Sequence, residues 1–212
     1  VGDLSAVVSR AGDGPLRGTI YNAKGRPATA EFSAAAEILS LIGMADLNSE
    51  LQAQLPAAMA AARKKDYAQL LRLLPMLNGA PVKAQQLSVA LNVVTSCLDL
   101  ALPYQLSSAI SARPSLMAAA LAAISPARYA PFGAATVGAQ SGVSDCLQFP
   151  AQPDTTPASG ALPNVPALVL AGQLDLRTPA ENASAVAALL PKASLVTLRG
   201  AGHDLLDGDT TG

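Results

Sequence analysis

The stretch Val165-Pro166-Ala167-Leu168-Val169-Leu170-Ala171-Gly172 constrains the fold of this chain more than any other. Its apolar run, set between a proline and a glycine, is too short for a helix and shows no alternation. It therefore predicts a strand meant to be covered on both faces. Thr178-Pro179 then predicts a helix start, with Thr178 as the cap and Pro179 in the first helical position, and the helix runs to about Leu190. Pro191 breaks it, and Ser194-Leu195-Val196-Thr197-Leu198 predicts a second strand. Strand, helix and strand in so short a span make a parallel crossover unit.

The preceding residues follow a different pattern. Gly2, Gly12, Gly14, Gly18 and Gly25, with Pro15 and Pro27, predict an irregular entry over residues 1–30. From Glu31, the residues Phe32, Ala35, Ala36, Leu39 and Ile42 recur at helical spacing and Gly43 supplies a stop. A second helix is expected with Pro56 in its first turn and an end at Lys65. Asp66 is expected to cap a third that carries Leu70, Leu71, Leu73 and Leu74 and closes near Asn78-Gly79. Two more are expected over Gln85 to Cys97 and Leu106 to Ile124, the latter broken or kinked around Pro114. The segment from Phe149 to Gly160 is a Pro/Ser/Thr connector without periodicity. The expected organisation is a helical region over 1–148, a connector over 149–163 and a strand–helix–strand unit over 164–212, an α/β chain.

Charge and composition narrow the function classes. With 14 Lys+Arg against 15 Asp+Glu the net charge is −1, so the electrostatic footprint of a nucleic-acid partner is missing. Half of the residues are apolar and the mean hydropathy is +0.33, which argues against disorder. The longest apolar run, Leu116 to Ile124, is far too short for a membrane span. One His and two Cys do not make a zinc or iron–sulfur set, and no phosphate-cradling glycine loop is present, so no metal or cofactor is expected. Cys97 and Cys146 are compatible with one disulfide in an exported protein or with two buried thiols in a cytosolic one. No export signal is visible near Val1, and both ends read as cut.

The crossover unit sets up a possible chemistry. Asp175 follows the first strand and His203, the only histidine, follows the second, 28 residues later. Both are expected just beyond the carboxyl ends of neighbouring parallel strands, the edge where open α/β sheets place active sites. A carboxylate there can accept the imidazole Nδ1 proton and leave Nε2 to take one from a nucleophile. Gly200 and Gly202 would let the backbone turn sharply before the ring.

From Asn164 to Asp204 the sequence resembles the C-terminal end of an α/β-hydrolase. It is most similar to the tripeptidyl-aminopeptidase-like, proline-iminopeptidase-related serine peptidases of actinobacteria. The residues that carry the likeness are Val165-Pro166 before the strand, the Gly-x-x-Asp-x-x-Thr-Pro turn ending at Pro179 and the Gly-x-Gly-His turn ending at His203. Gln173 and Phe149 depart from the more usual acid and Trp. The resemblance implies an incomplete α/β-hydrolase fold, mostly helical cap followed by the last strand–helix–strand unit of the catalytic sheet. It implies that Asp175 is the acid and His203 the base of a catalytic triad, that Cys97 and Cys146 form a disulfide, and that the parent protein is secreted or held in the cell envelope. A cytoplasmic setting is the alternative.

The family's nucleophile sits on a Gly-x-Ser-x-Gly elbow upstream of acid and base, and no such string occurs here. Gly138-Ala139-Gln140-Ser141-Gly142 has the wrong spacing, so Ser141 reads as a loop serine. The expected partner is therefore the missing N-terminal half of the hydrolase, from the same precursor or another chain, and the chain alone should be inactive. The expected activity is an exopeptidase acting on a peptide or small acyl substrate. The alternatives are an esterase or lipase of the same fold, and a non-catalytic peptide- or partner-binding helical module. A cap carboxylate commonly pairs with a substrate ammonium. Of Glu31, Glu37, Asp46, Glu50, Asp66 and Asp99, the residue chosen is Asp99, because a disulfide at Cys97 would hold it near the junction of cap and core.

Overall fold

The computed structural model describes residues 2–22, 24–78, 88–153 and 162–205. The chain forms two compact units, one of Val1–Leu39 with Asn78–Thr156 and one of Ser40–Leu77 with Pro157–Gly212.

The first unit departs from expectation at its start. The entry segment is a helix, α1 (Gly2–Asp13), followed by a hairpin of β1 (Leu16–Tyr21) and β2 (Pro27–Phe32). Val7, Val8 and Ala11 share the buried side of α1, and Gly14 ends the helix with a positive φ. The strands pair antiparallel from Leu16↔Phe32 to Tyr21↔Pro27. Asn22 closes the turn by accepting the Lys24 and Arg26 N–H groups, with Gly25 in the left-handed region. Glu31 and Phe32 thus end a strand, and α2 (Ala35–Ala45) starts only after them. In α5 (Val89–Asp99), Ser88 caps the first turn by accepting the Leu91 N–H; the expected start at Gln85 lies outside the described residues. Pro114 sits in the first turn of α6 (Arg113–Ala123), where its missing N–H costs nothing, so the helix begins there instead of kinking. After α7 (Ala134–Gln140) the chain makes a 3₁₀ turn over Gly142–Cys146. A Cys97–Cys146 disulfide ties that turn to α5 across 49 residues. Closing a loop of that length removes about 4 kcal/mol of unfolded-state entropy.

In the second unit, α3 (Ser49–Arg63) starts earlier than expected because Asn48 accepts the Leu51 N–H at 2.9 Å and caps it. Pro56 therefore lies inside the helix rather than in its first turn. The expected third helix is a single turn, α4 (Ala68–Leu71), followed by a 3₁₀ turn over Leu74–Asn78, which Pro75 prevents from continuing as α-helix. Asp66 still accepts the Ala68 N–H ahead of it.

The strand–helix–strand unit consists of β3 (Pro166–Gly172), α8 (Ala180–Leu189) and β4 (Lys192–Leu198). The strands pair parallel and in register from Pro166↔Lys192 to Gly172↔Leu198, and α8 packs on both. Among the described residues they pair only with each other. Expected cover on both faces is therefore lacking: Leu168 is 65% exposed, and Leu170, Leu195, Val196 and Leu198 are exposed too. A two-stranded sheet with one helix on it has no second layer to hide these residues. No helix of the described residues is long and apolar enough to cross a membrane.

Candidate active site

Beyond the ends of β3 and β4, two turns are stitched together by their backbones. Gln173 N–H donates to Leu198 O and Leu174 N–H to Ala201 O, both at 2.9 Å. The Gln173 side chain accepts the Gly200 N–H at 3.1 Å and braces the turn. Gly200 takes φ +73°, a conformation that L side chains rarely adopt. Two other glycines are needed for close approach. A Cβ on Gly172 would stand 2.0 Å from the Gly202 carbonyl oxygen, and one on Gly202 would stand 2.4 Å from that of Asp46. Backbone packs on backbone there, and only glycine fits.

These turns bring Asp175 and His203 into contact. His203 Nδ1 lies 3.1 Å from Asp175 Oδ2 and 3.3 Å from Oδ1. The Asp175 side chain is 5% exposed and that of His203 37%. Asp175 Oδ1 also accepts the N–H groups of Arg177 and Thr178 at 2.8 Å, and Oδ2 accepts the Thr178 hydroxyl at 2.7 Å. Thr178 is thus not the helix cap its sequence suggested. Its hydroxyl is committed to the acid, also 3.3 Å from His203 Nδ1, and α8 starts one residue late at Ala180 with Pro179 in the cap position.

Burial by itself would push the Asp175 carboxyl up. The Thr178 hydroxyl and N–H, the His203 ring and the Arg177 N–H outweigh it and hold the group down, from 3.8 to about 2. A carboxylate held below its unfolded value stabilises the fold only while ionised. Its contribution is complete above about pH 4 and is lost as the pH falls toward about 2. Urea unfolding at stepped pH is therefore expected to show an acid limb that Asp175→Asn flattens.

Asp46, one of several acids in the sequence but not the chosen one, reaches the same place from the loop between α2 and α3. Its side chain is fully buried, it accepts the Leu176 N–H at 2.9 Å, and its backbone carbonyl accepts the His203 N–H at 2.9 Å. Asp46, Asp175 and His203 offer one ligand atom each within 4.8 Å, a grouping that spacing could not reveal. Both Asp175 oxygens already accept donors, and the Arg177 Nε stands 3.3 Å from Asp46 Oδ2. That is the donor pattern of a hydrogen-bonded network, with the cationic place taken by Arg177. A cavity of about 530 Å³ opens beside the His203 turn, lined among others by Asn48, Ser49, Glu50, Arg199 and Asp204.

The other expected residues lie in the first unit. Asp99 is exposed at the last position of α5. Ser141 follows α7, and its hydroxyl donates to Gly138 O at 2.9 Å, a local turn contact. Cys97 and Cys146 are buried and joined.

At the ends of adjacent parallel strands the structure thus sets a buried carboxylate against a half-exposed imidazole, an arrangement chemically able to orient the ring and move a proton. Residues 130–211, somewhat under half of the chain, match a family model described as TAP-like protein, an α/β-hydrolase family. The match supports the C-terminal part of an α/β-hydrolase over those residues and a hydrolase as the broad functional class. No curated protein and no solved structure matches the chain.

Proposed function

We propose that this chain supplies the acid and the base of a serine hydrolase. The reaction is release of residues or short peptides from a free N-terminus through an acyl-enzyme, with the nucleophilic serine outside these 212 residues. What carries the reading is the contact of the sole imidazole with a buried, ionised carboxylate, 3.1 Å from His203 Nδ1 to Asp175 Oδ2. Asp175 holds the Nδ1–H tautomer and stabilises the imidazolium. His203 Nε2 accepts the serine proton during attack and returns it to the leaving amine. Water repeats the sequence on the ester, and the acid product leaves. Every His203 side-chain hydrogen bond to a described residue runs through Nδ1, which leaves Nε2 uncommitted to those residues.

The cap is drawn from residues 1–148, of which Ser40–Leu77 packs in the same unit as the strand–helix–strand segment, and 149–163 serve as its connector. The disulfide suits an oxidising, secreted or cell-envelope setting. Asp99 is the carboxylate assigned to the substrate ammonium. Asp99→Asn in the complete enzyme is expected to raise KM several-fold for a free-amine peptide, and an unchanged KM withdraws that role. A fluorophosphonate probe tests the reaction class: it should label a serine in the complete enzyme, and no labelling at all would favour a non-catalytic binding module. Turnover of a nitrophenyl ester with no turnover of any aminoacyl arylamide would point to an esterase.

A further inference from the structure

The buried carboxylate of Asp46 has no evident task in the acid–base chemistry, yet it touches both turns that carry it. Its Oδ1 accepts the Leu176 N–H, one residue after the acid. Its Oδ2 faces the Arg177 guanidinium at 3.3 Å, and the backbone N–H of the same arginine donates to Asp175 Oδ1. Its backbone carbonyl holds the His203 N–H, and Gly202 gives the clearance for that approach. Apart from the Arg177 charge, Oδ2 has no hydrogen-bond partner among the described residues. A buried charge so thinly compensated is costly and calls for a reason.

We propose that Asp46 is the positioning residue of the site, a clamp that holds the acid turn and the base turn in the register that lets His203 Nδ1 meet Asp175. The inference rests on the acid–base reading of Asp175 and His203. Its hold is bilateral: the carboxylate fixes 176 and 177, the peptide carbonyl fixes 203, and the rigid Cα between them sets the spacing. Asp46→Asn is isosteric and keeps an acceptor for the Leu176 N–H but loses the Arg177 pair. Asp46→Ala loses both and keeps the backbone carbonyl.

His203 is the only histidine, so its imidazole signals in a ¹⁵N-labelled full chain need no assignment. Asp175→Asn is the control. The expected result is that both Asp46 variants lose the Nδ1-bound proton signal to exchange broadening, the alanine variant more completely, as Asp175→Asn does. Backbone amide spectra report whether each variant is folded, and Asp46→Asn decides the question if Asp46→Ala is not. A folded Asp46→Asn whose imidazole signals superimpose on the parent, while Asp175→Asn moves them, overturns the clamp and leaves the pair intact. Signals unmoved by Asp175→Asn overturn the pair itself, and the clamp with it.

Discussion

Replacing His203 by alanine in the complete enzyme is expected to lower kcat/KM for an aminoacyl arylamide by a factor of about 10⁴ or more. The side chain is the one imidazole in these 212 residues, and its Nδ1 faces Asp175, which leaves Nε2 for the proton transfer. Asp175→Asn tests the other half of the pair. An amide in that position can present its N–H₂ to Nδ1 and favour the wrong tautomer, with an expected loss of about 10³–10⁴. KM should change little in either variant, because neither group is assigned to ground-state binding. Steady-state kinetics with the arylamide measures both. Retention of more than about a tenth of the parent rate in His203→Ala would remove this residue from the role of base.

The second large effect is expected far from that chemistry, at Arg113. Its side chain is fully buried, yet none of its described partners is an acid. The guanidinium donates instead to backbone carbonyls, most closely Leu106 at 2.5 Å and Phe149 at 2.6 Å, then Ser108, Leu147 and Cys146 at 3.2 to 3.4 Å. The Tyr104 ring lies 5.8 Å from its Cζ, and the Tyr104 hydroxyl donates to Val143 O. One planar cation thus gathers the ends of two loops that no sheet or long helix organises. Arg113→Met keeps most of the volume and strips those carbonyls of their donor. The expected cost is about 3–5 kcal/mol, read as a fall in the urea midpoint at unchanged m-value. Arg113→Lys should recover only part of it, since an ammonium cannot reproduce the fork. A loss under about 1 kcal/mol would mean that water replaces the guanidinium freely.

How much of this was legible depends on the range of each interaction. The crossover unit could be read because its signals are local: an apolar run at 167–171, a proline before α8, a second run at 194–198. The approach of Asp175 to His203 follows from that topology and needs no further information. The hairpin was hidden because Gly18 interrupts the alternation of Leu16 and Ile20, and Gly25 and Pro27 read as loop punctuation when they mark a turn and a strand start. Asn48 carries a local cap signal as well, but Pro56 eight residues later gives a competing one for the same helix start. Thr178 before a proline has helix capping as its commonest use, and nothing in a sequence says that an acid three residues back will claim its hydroxyl. Asp46 meets Leu176 across 130 residues, and Arg113 meets Phe149 across 36. A charged residue next to a proline or in a loop reads as solvent-facing until the fold has closed over it.

The Cys97–Cys146 bond has a practical consequence for handling the molecule. A protease that cuts anywhere between those two positions severs the peptide chain without releasing a fragment, because the pieces stay linked through sulfur. Such clipped molecules would migrate as intact on a gel run without reductant and separate only once a thiol is added, so chain integrity has to be judged under both conditions.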